Sequence, residues 1–394
     1  MNKRGFLLCG IFLLASGVLL SAAGPAWLSQ GPKVGEGPQS FEIPLEVEGQ
    51  KLYVEVEIGG RTRRFVVDTG SPSMVDESIA RELNLKVVGK SQGRDAHGVK
   101  IETSIVQSDL SVGGVSFEKV PLFCADFLGT VPVRCIVGDG ILGSELLALG
   151  AWQIDLKERV LRFSTQAETL PYVEKATEGS LHDFGFPHAP IVDVVFAKEA
   201  RSKALFDTGA PVYFWISPDD YAGAQRAGGT GGTLEGFGSP GGSLGGQAPA
   251  VPREMVELTS FSVGPVQIGV VEALVRELSP SLLGVRFLDH FIVTLDQPNG
   301  AVFFYEYAKG PYIEDSFGLT LAFDGEVAVG TVWEGSPAWR AGLRAGDPLD
   351  SINGMTLDFS CEKIRQAIAA FQEPTIRIDW EGGSVELTKE TREF

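Results

Sequence analysis

From Phe41 onward, apolar residues fall on alternate positions: Ile43, Leu45 and Val47, then Leu52, Val54, Val56 and Ile58. This is the period of a half-buried strand, and Gly59-Gly60 reads as the turn of a hairpin. Arg64 to Val67 supplies the next strand, and Ile79, Leu83 and Leu85 then recur at helical spacing over Asp76 to Leu85. Further strand-like runs follow at Ile101–Val106, Leu110–Val112, Val115–Phe117 and Val120–Phe123. An apolar run ending Ile141-Leu142-Gly143 comes next. A hairpin, Trp152–Leu156 with Val160–Phe163, closes the series.

The order then repeats. Ile191–Phe196 and Lys203–Phe206 read as strands, Leu282-Leu283-Gly284 answers Ile141-Leu142-Gly143, and Ile292–Asp296 with Val302–Tyr305 answers the closing hairpin. Within each copy, a strand runs into Asp-Thr-Gly, first at Asp68-Thr69-Gly70 and again at Asp207-Thr208-Gly209. Gly143 and Gly284 are 141 positions apart, and so are Asp155 and Asp296. Such a period signals a duplicated lobe, because solenoid repeats are much shorter. Asp155 and Asp296 themselves read as hairpin-turn residues.

Two aspartates delivered twice by the same turn suggest a shared proton. Facing carboxylates at hydrogen-bonding distance cannot both stay ionised. One protonated and one ionised acid can hold a water, take its proton as it attacks a carbonyl, and return a proton to the leaving group. Gly70 and Gly209 let the turns approach closely and leave N–H groups for the carboxylates. Thr69 and Thr208 are short hydroxyls able to tie the turns together.

The paired apolar-apolar-x-Asp-Thr-Gly and apolar-apolar-Gly motifs resemble those of the aspartic peptidases, the pepsin and retropepsin clan, over about residues 40 to 308. The resemblance implies a mainly β fold of two pseudo-symmetric lobes around a cleft, with Asp68 and Asp207 catalytic. It also implies that the second motif threads behind the first, and that Ser71 bonds the outer oxygen of Asp68. Ala210 cannot do the same for Asp207. A β-hairpin flap is expected over the cleft, at Ser91–Thr103 in the first lobe, without the tyrosine pepsin uses. In the second lobe the glycine-rich Ala227–Gly246 is either an enlarged flap or a disordered loop.

After Ile313 the character changes. Ser336-Pro337-Ala338, Ala341-Gly342-Leu343, Gly346-Asp347 and Asn353-Gly354, followed by helical spacing at Ile364, Ile368 and Phe371, resemble a PDZ domain of bacterial exported proteases. The resemblance implies a small α/β domain whose Phe317-Gly318-Leu319 loop binds the carboxylate of a peptide's C-terminal tail, the peptide pairing as an added strand.

Composition narrows the partners. With 44% hydrophobic and 21% charged residues over 394 positions, the chain reads as globular with room for two or three domains. A formal net charge of -18 argues against nucleic acid or an anionic membrane surface as main partner. Lys3 and Arg4, the apolar run Gly5–Leu20 and the small residues Ser21-Ala22-Ala23 read as an export signal cut after Ala23. An uncleaved anchor ranks second, the run being short for a span. The expected divisions are the signal at 1–23, a linker at 24–39, lobes at 40–170 and 171–308, and the PDZ domain at 314–390. The expected place is periplasmic or extracellular.

In an exported chain Cys124 and Cys135 are expected to form a disulfide, leaving Cys361 unpaired. His97, His182, His188 and His290 show no metal-binding spacing and read as surface or structural; no metal or organic cofactor is expected. The resulting expectation is an exported aspartic endopeptidase acting on polypeptides. The rival is a non-catalytic peptide-binding scaffold, a pseudoprotease with a working PDZ domain.

Overall fold

The computed structural model describes residues 25–394 apart from 128, 130, 198, 199 and 393. The expected export signal at 1–23 lies outside the described residues. Among those described, no helix is long and apolar enough to cross a membrane.

The fold is mainly β, as the alternation predicts. In the first lobe, Lys51–Ile58 and Arg61–Val67 pair antiparallel in the register Val54↔Phe65 and Val56↔Arg63. Leu52, Val54, Val56 and Ile58 are buried, while Glu55 and Glu57 between them are exposed. Gly59 and Gly60 make the turn at φ of +59° and +74°, where a side chain would strain the backbone. The helix Glu77–Glu82 begins on the Asp76 side chain, which accepts the Ser78 N–H.

The duplicated hairpins meet at the centre of the molecule. Ala151–Asp155 of the first copy pairs antiparallel with Phe291–Asp296 of the second, Ala151 opposite Asp296 and Ile154 opposite Val293. Each is flanked by its own hairpin partner, Val160–Ser164 and Ala301–Glu306. Gln153 donates to Thr294 Oγ1 across the join at 2.8 Å. One hydrophobic core runs through both lobes, with Phe65, Phe163, Phe206 and Phe287 among its fully buried rings. Burial of that size is the main force holding the halves together.

The PDZ segment has its own core around Phe317, Val329, Leu343, Ile352, Ala367 and Ile378. Its helix Cys361–Ala370 starts on the Ser360 side chain and turns Ile364 and Ala367 inward. A four-stranded antiparallel sheet, from Leu349–Ile352 to Gly383–Thr388, completes it.

Three expectations are corrected here. The glycine-rich Ala227–Gly246 is neither a disordered loop nor simply a flap. Its residues Thr230–Gly238 form a strand that pairs with Val251–Val263 on one side and with Val327–Trp333 of the PDZ domain on the other, joining lobe and domain in one sheet. The glycines have a steric reason: a Cβ on Gly238 (φ +146°) would stand 2.0 Å from the Gly330 carbonyl oxygen.

Within the expected linker, residues 25–39 are packed, because their apolar residues find partners. Trp27 packs edge-on against Phe123 and Phe186, and Lys33–Val34 pair with Phe117 and Glu118.

The disulfide is Cys135–Cys361, not Cys124–Cys135, and Cys361 is not unpaired. Cys135 sits on the helix Val131–Val137, which packs against Cys361–Ala370 and brings the two Cα atoms within 4.9 Å. Cys124 is buried in the strand Val115–Ala125, opposite Ser104, where burial pushes its thiol up to about 11. Eleven positions of chain gave no measure of distance in space.

Candidate active site

Each Asp is carried to the molecular centre by the same local device. The strand Arg61–Val67 runs parallel to Gly140–Leu142, and Arg201–Asp207 runs parallel to Ser281–Gly284. Gly143 and Gly284 follow behind the two turns. A Cβ on Gly143 would lie 2.2 Å from the Ser73 nitrogen, and one on Gly284 2.1 Å from the Val212 carbonyl oxygen. Only glycine fits at these contacts.

The turns interlock. Thr69 N–H donates to Thr208 Oγ1 at 3.1 Å and Thr208 N–H donates to Thr69 Oγ1 at 3.1 Å. The hydroxyls reach across in turn, Thr69 to the Phe206 carbonyl at 2.6 Å and Thr208 to the Val67 carbonyl at 2.8 Å. Both threonines are buried. Four bonds related by the pseudo-twofold axis therefore fix the turns, and with them the acids.

Asp68 and Asp207 face each other across the junction, each carboxyl lying against the glycine of the opposite turn. Gly70 N–H donates to Asp68 at 3.0 Å and Gly209 N–H to Asp207 at 2.8 Å. A Cβ on Gly70 or on Gly209 would stand 2.4 Å from the opposite carboxyl. Burial raises both carboxyls above the ordinary range, and the negative charge of Asp68 raises Asp207 further. Lys51 opposes the rise at both acids, and its ammonium donates to the Gly209 carbonyl. Arg276 opposes it at Asp207. The arrangement suits a pair that shares a proton.

Ser71 is placed differently from expectation. Its hydroxyl donates to the Pro72 carbonyl at 2.9 Å, while its backbone N–H bonds Asp68. The asymmetry expected from Ser71 against Ala210 is thus not made by the hydroxyl here.

The first-lobe flap is the hairpin of Val87–Arg94 with Lys100–Val112, turning at Asp95–Val99. Its tip is held from the other lobe. Asp95 Oδ2 accepts from the Ser243 hydroxyl and from Gly245 N–H at 2.9 Å. In the PDZ loop, Phe317 and Leu319 are buried and Gly318 has φ +74°. Gly318 N–H already donates to Ser316 Oγ at 3.1 Å, so a peptide carboxylate must displace that hydroxyl. Leu319–Phe323 is the last strand of its sheet, and Phe323 N–H donates to Gln247 of the glycine-rich segment at 3.3 Å.

Several residues around the dyad escaped the sequence reading. Lys51 carries no motif and reaches the dyad only through the fold. Glu145 stands two places after Gly143, where the motif itself could have drawn attention to it. It is fully buried, accepts Ser73 N–H at 2.8 Å, and is pushed up to about 7 by burial. His97, read as surface or structural, lines a cavity under the flap together with Arg253 and Arg276.

Among the described residues no cluster of His, Cys, Asp and Glu could hold a metal ion. Residues 54–146 match the family model described as aspartyl protease, and residues 329–380 match that of a PDZ domain. A crystal structure of an aspartic proteinase from Irpex lacteus is similar at 13% identity and a TM-score of 0.41, over 68% of this chain and 97% of that one. No curated protein matches the sequence. The chain is thus mainly β, with a segment that matches the aspartyl protease model and, C-terminal to it, one that matches a PDZ domain.

Proposed function

We propose that the protein is an exported aspartic-type endopeptidase that hydrolyses polypeptides in the periplasm or outside the cell. The observation that carries this reading is the face-to-face placement of Asp68 and Asp207, held by the reciprocal Thr69–Thr208 bonds. A water between the carboxyls loses its proton to the ionised acid and attacks the peptide carbonyl. The protonated acid donates to the carbonyl oxygen, and a proton then passes to the leaving amine. No covalent enzyme intermediate forms. The Lys3-Arg4 start, the apolar run to Leu20 and the Cys135–Cys361 disulfide all support an oxidising destination. The edge position of Leu319–Phe323 in its sheet supports recruitment of peptide tails by strand addition.

The test is hydrolysis of an unfolded protein across acid to neutral pH by the parent, Asp68→Asn and Asp207→Asn. Each substitution is expected to lower the rate about 100-fold or more, the scale of lost general acid–base catalysis. Equal rates in all three would remove the mechanism.

A further inference from the structure

A cavity of about 230 Å³ lies beneath the first-lobe flap. Ala96, His97 and Val99 of the flap tip bound it on one side, and Trp215, Arg253 and Arg276 of the second lobe on the other. Arg276 on its wall is close enough to the dyad for its charge to act on Asp207.

The cavity holds unusual cations. Arg253 and Arg276 are both partly buried, and loss of solvation lowers both, Arg276 to about 10. Arg276 lies 5.5 Å from the Trp215 ring centre and donates to the Pro280 carbonyl at 3.2 Å. Arg253 Nε and Trp215 Nε1 are buried donors with no hydrogen-bond partner. Both arginines also disfavour a charge on His97, so three basic groups converge on one space.

Asp207 acts on Arg276 through its charge, and the other nearby acids are engaged elsewhere or make no hydrogen bond to the pair. Asp95 is committed to His97 and Val99 N–H and to Ser243 and Gly245. Glu277 stands exposed on the rim and acts on Arg253 through space, without a hydrogen bond to it. Buried cations are ordinarily paired, and buried donors ordinarily bonded. In a chain of formal net charge -18, two guanidiniums and two unmet buried donors on one cavity wall offer a place for a further anion.

We infer that Arg253 and Arg276 form an anion-binding subsite of the cleft, which takes a carboxylate of the bound peptide. This rests on the endopeptidase reading and names its substrate class. A guanidinium pair matches a carboxylate's two oxygens, and Trp215 Nε1 adds a third donor. The carboxylate is that of an Asp or Glu side chain or of the peptide's own C-terminus.

The test uses the full chain with Asp68→Asn, so that binding is read without hydrolysis. Probes are acetylated, amidated hexapeptides carrying Glu or Gln at each position in turn, and the Gln set again with a free C-terminal acid. Affinity is measured by competition at low and high salt. One Glu position is expected to bind about tenfold tighter than its Gln partner, the size of a charge-assisted bond, with the gap closing at high salt. Adding Arg253→Gln and Arg276→Gln is expected to erase it. A preference for the free acid alone assigns the site to a terminal carboxylate. Equal affinities across every Glu/Gln and acid/amide pair overturn the proposal, as does a preference that survives loss of both arginines. The salt arm decides even if the double variant does not fold. Failure of the endopeptidase reading shows separately, as absence of hydrolysis by the parent chain.

Discussion

Replacing Thr69 by Val keeps the shape of the side chain and removes only its hydroxyl. Two bonds disappear: the one given to the Phe206 carbonyl at 2.6 Å and the one taken from Thr208 N–H at 3.1 Å. Both partners are backbone groups in a buried place, so they are left without water to replace the loss. A buried group stranded in this way costs about 1–3 kcal/mol, which puts the two losses of Thr69→Val at about 2–6 kcal/mol. Thr208→Val strands Thr69 N–H and the Val67 carbonyl and should cost the same. Thr69→Ser keeps the hydroxyl and should recover most of the loss. The pair should be non-additive by about 0.5–3 kcal/mol, because both hydroxyls brace one junction. Urea unfolding followed by tryptophan fluorescence reads all four values. If Thr69→Val and Thr208→Val each cost less than about 0.5 kcal/mol, the interlocked turns do not hold the lobes, and the reasoning fails.

Glu145 gives a pH signature. Its folded value of about 7 lies above the ordinary 4.5, so the folded chain keeps a proton that the unfolded chain releases between those values. Stability should therefore fall as pH rises through that window, by about 3 kcal/mol in full, and Glu145→Gln should flatten the curve with a gain above pH 7 and none below 4.5. Thermal melts across that range check this, and parallel curves for both chains would contradict it. Cys361→Ser opens a link spanning 226 positions and should cost about 2–5 kcal/mol of PDZ stability or docking. Melts with and without reductant should show the PDZ transition separating in the parent only when reduced, and always in the variant. Gly284→Ala drives a methyl against the Val212 carbonyl and should cost about 1–3 kcal/mol while lowering activity through displacement of Asp207. Wild-type hydrolysis by this variant would show that the turn has slack.

Much of this architecture was legible because it is periodic. Period-two alternation marked Leu52 to Ile58 as a half-buried strand, and a repeat near 140 residues announced two lobes meeting at equivalent hairpins. The dyad was legible for the same reason, since each Asp-Thr-Gly lies behind its own strand. What stayed hidden depends on distance across the fold. Cys135 meets Cys361 because two helices pack, which no spacing between cysteines encodes. Lys51 reaches Gly209 from a strand with no motif. The glycines of 227–246 looked like looseness, yet Gly238 is there so that one backbone can lie against another. Arg253 and Arg276 are ordinary arginines in sequence and become unusual only once buried beneath the flap.

The shared proton itself can be watched by following the carboxyl carbons of Asp68 and Asp207 in a pH titration by NMR. The account predicts that the pair gives up its last proton well above the range in which the exposed aspartates titrate, with both signals moving together. Two independent titrations within the ordinary carboxylate range would mean that the acids do not share a proton, and the proposed chemistry would lose its basis.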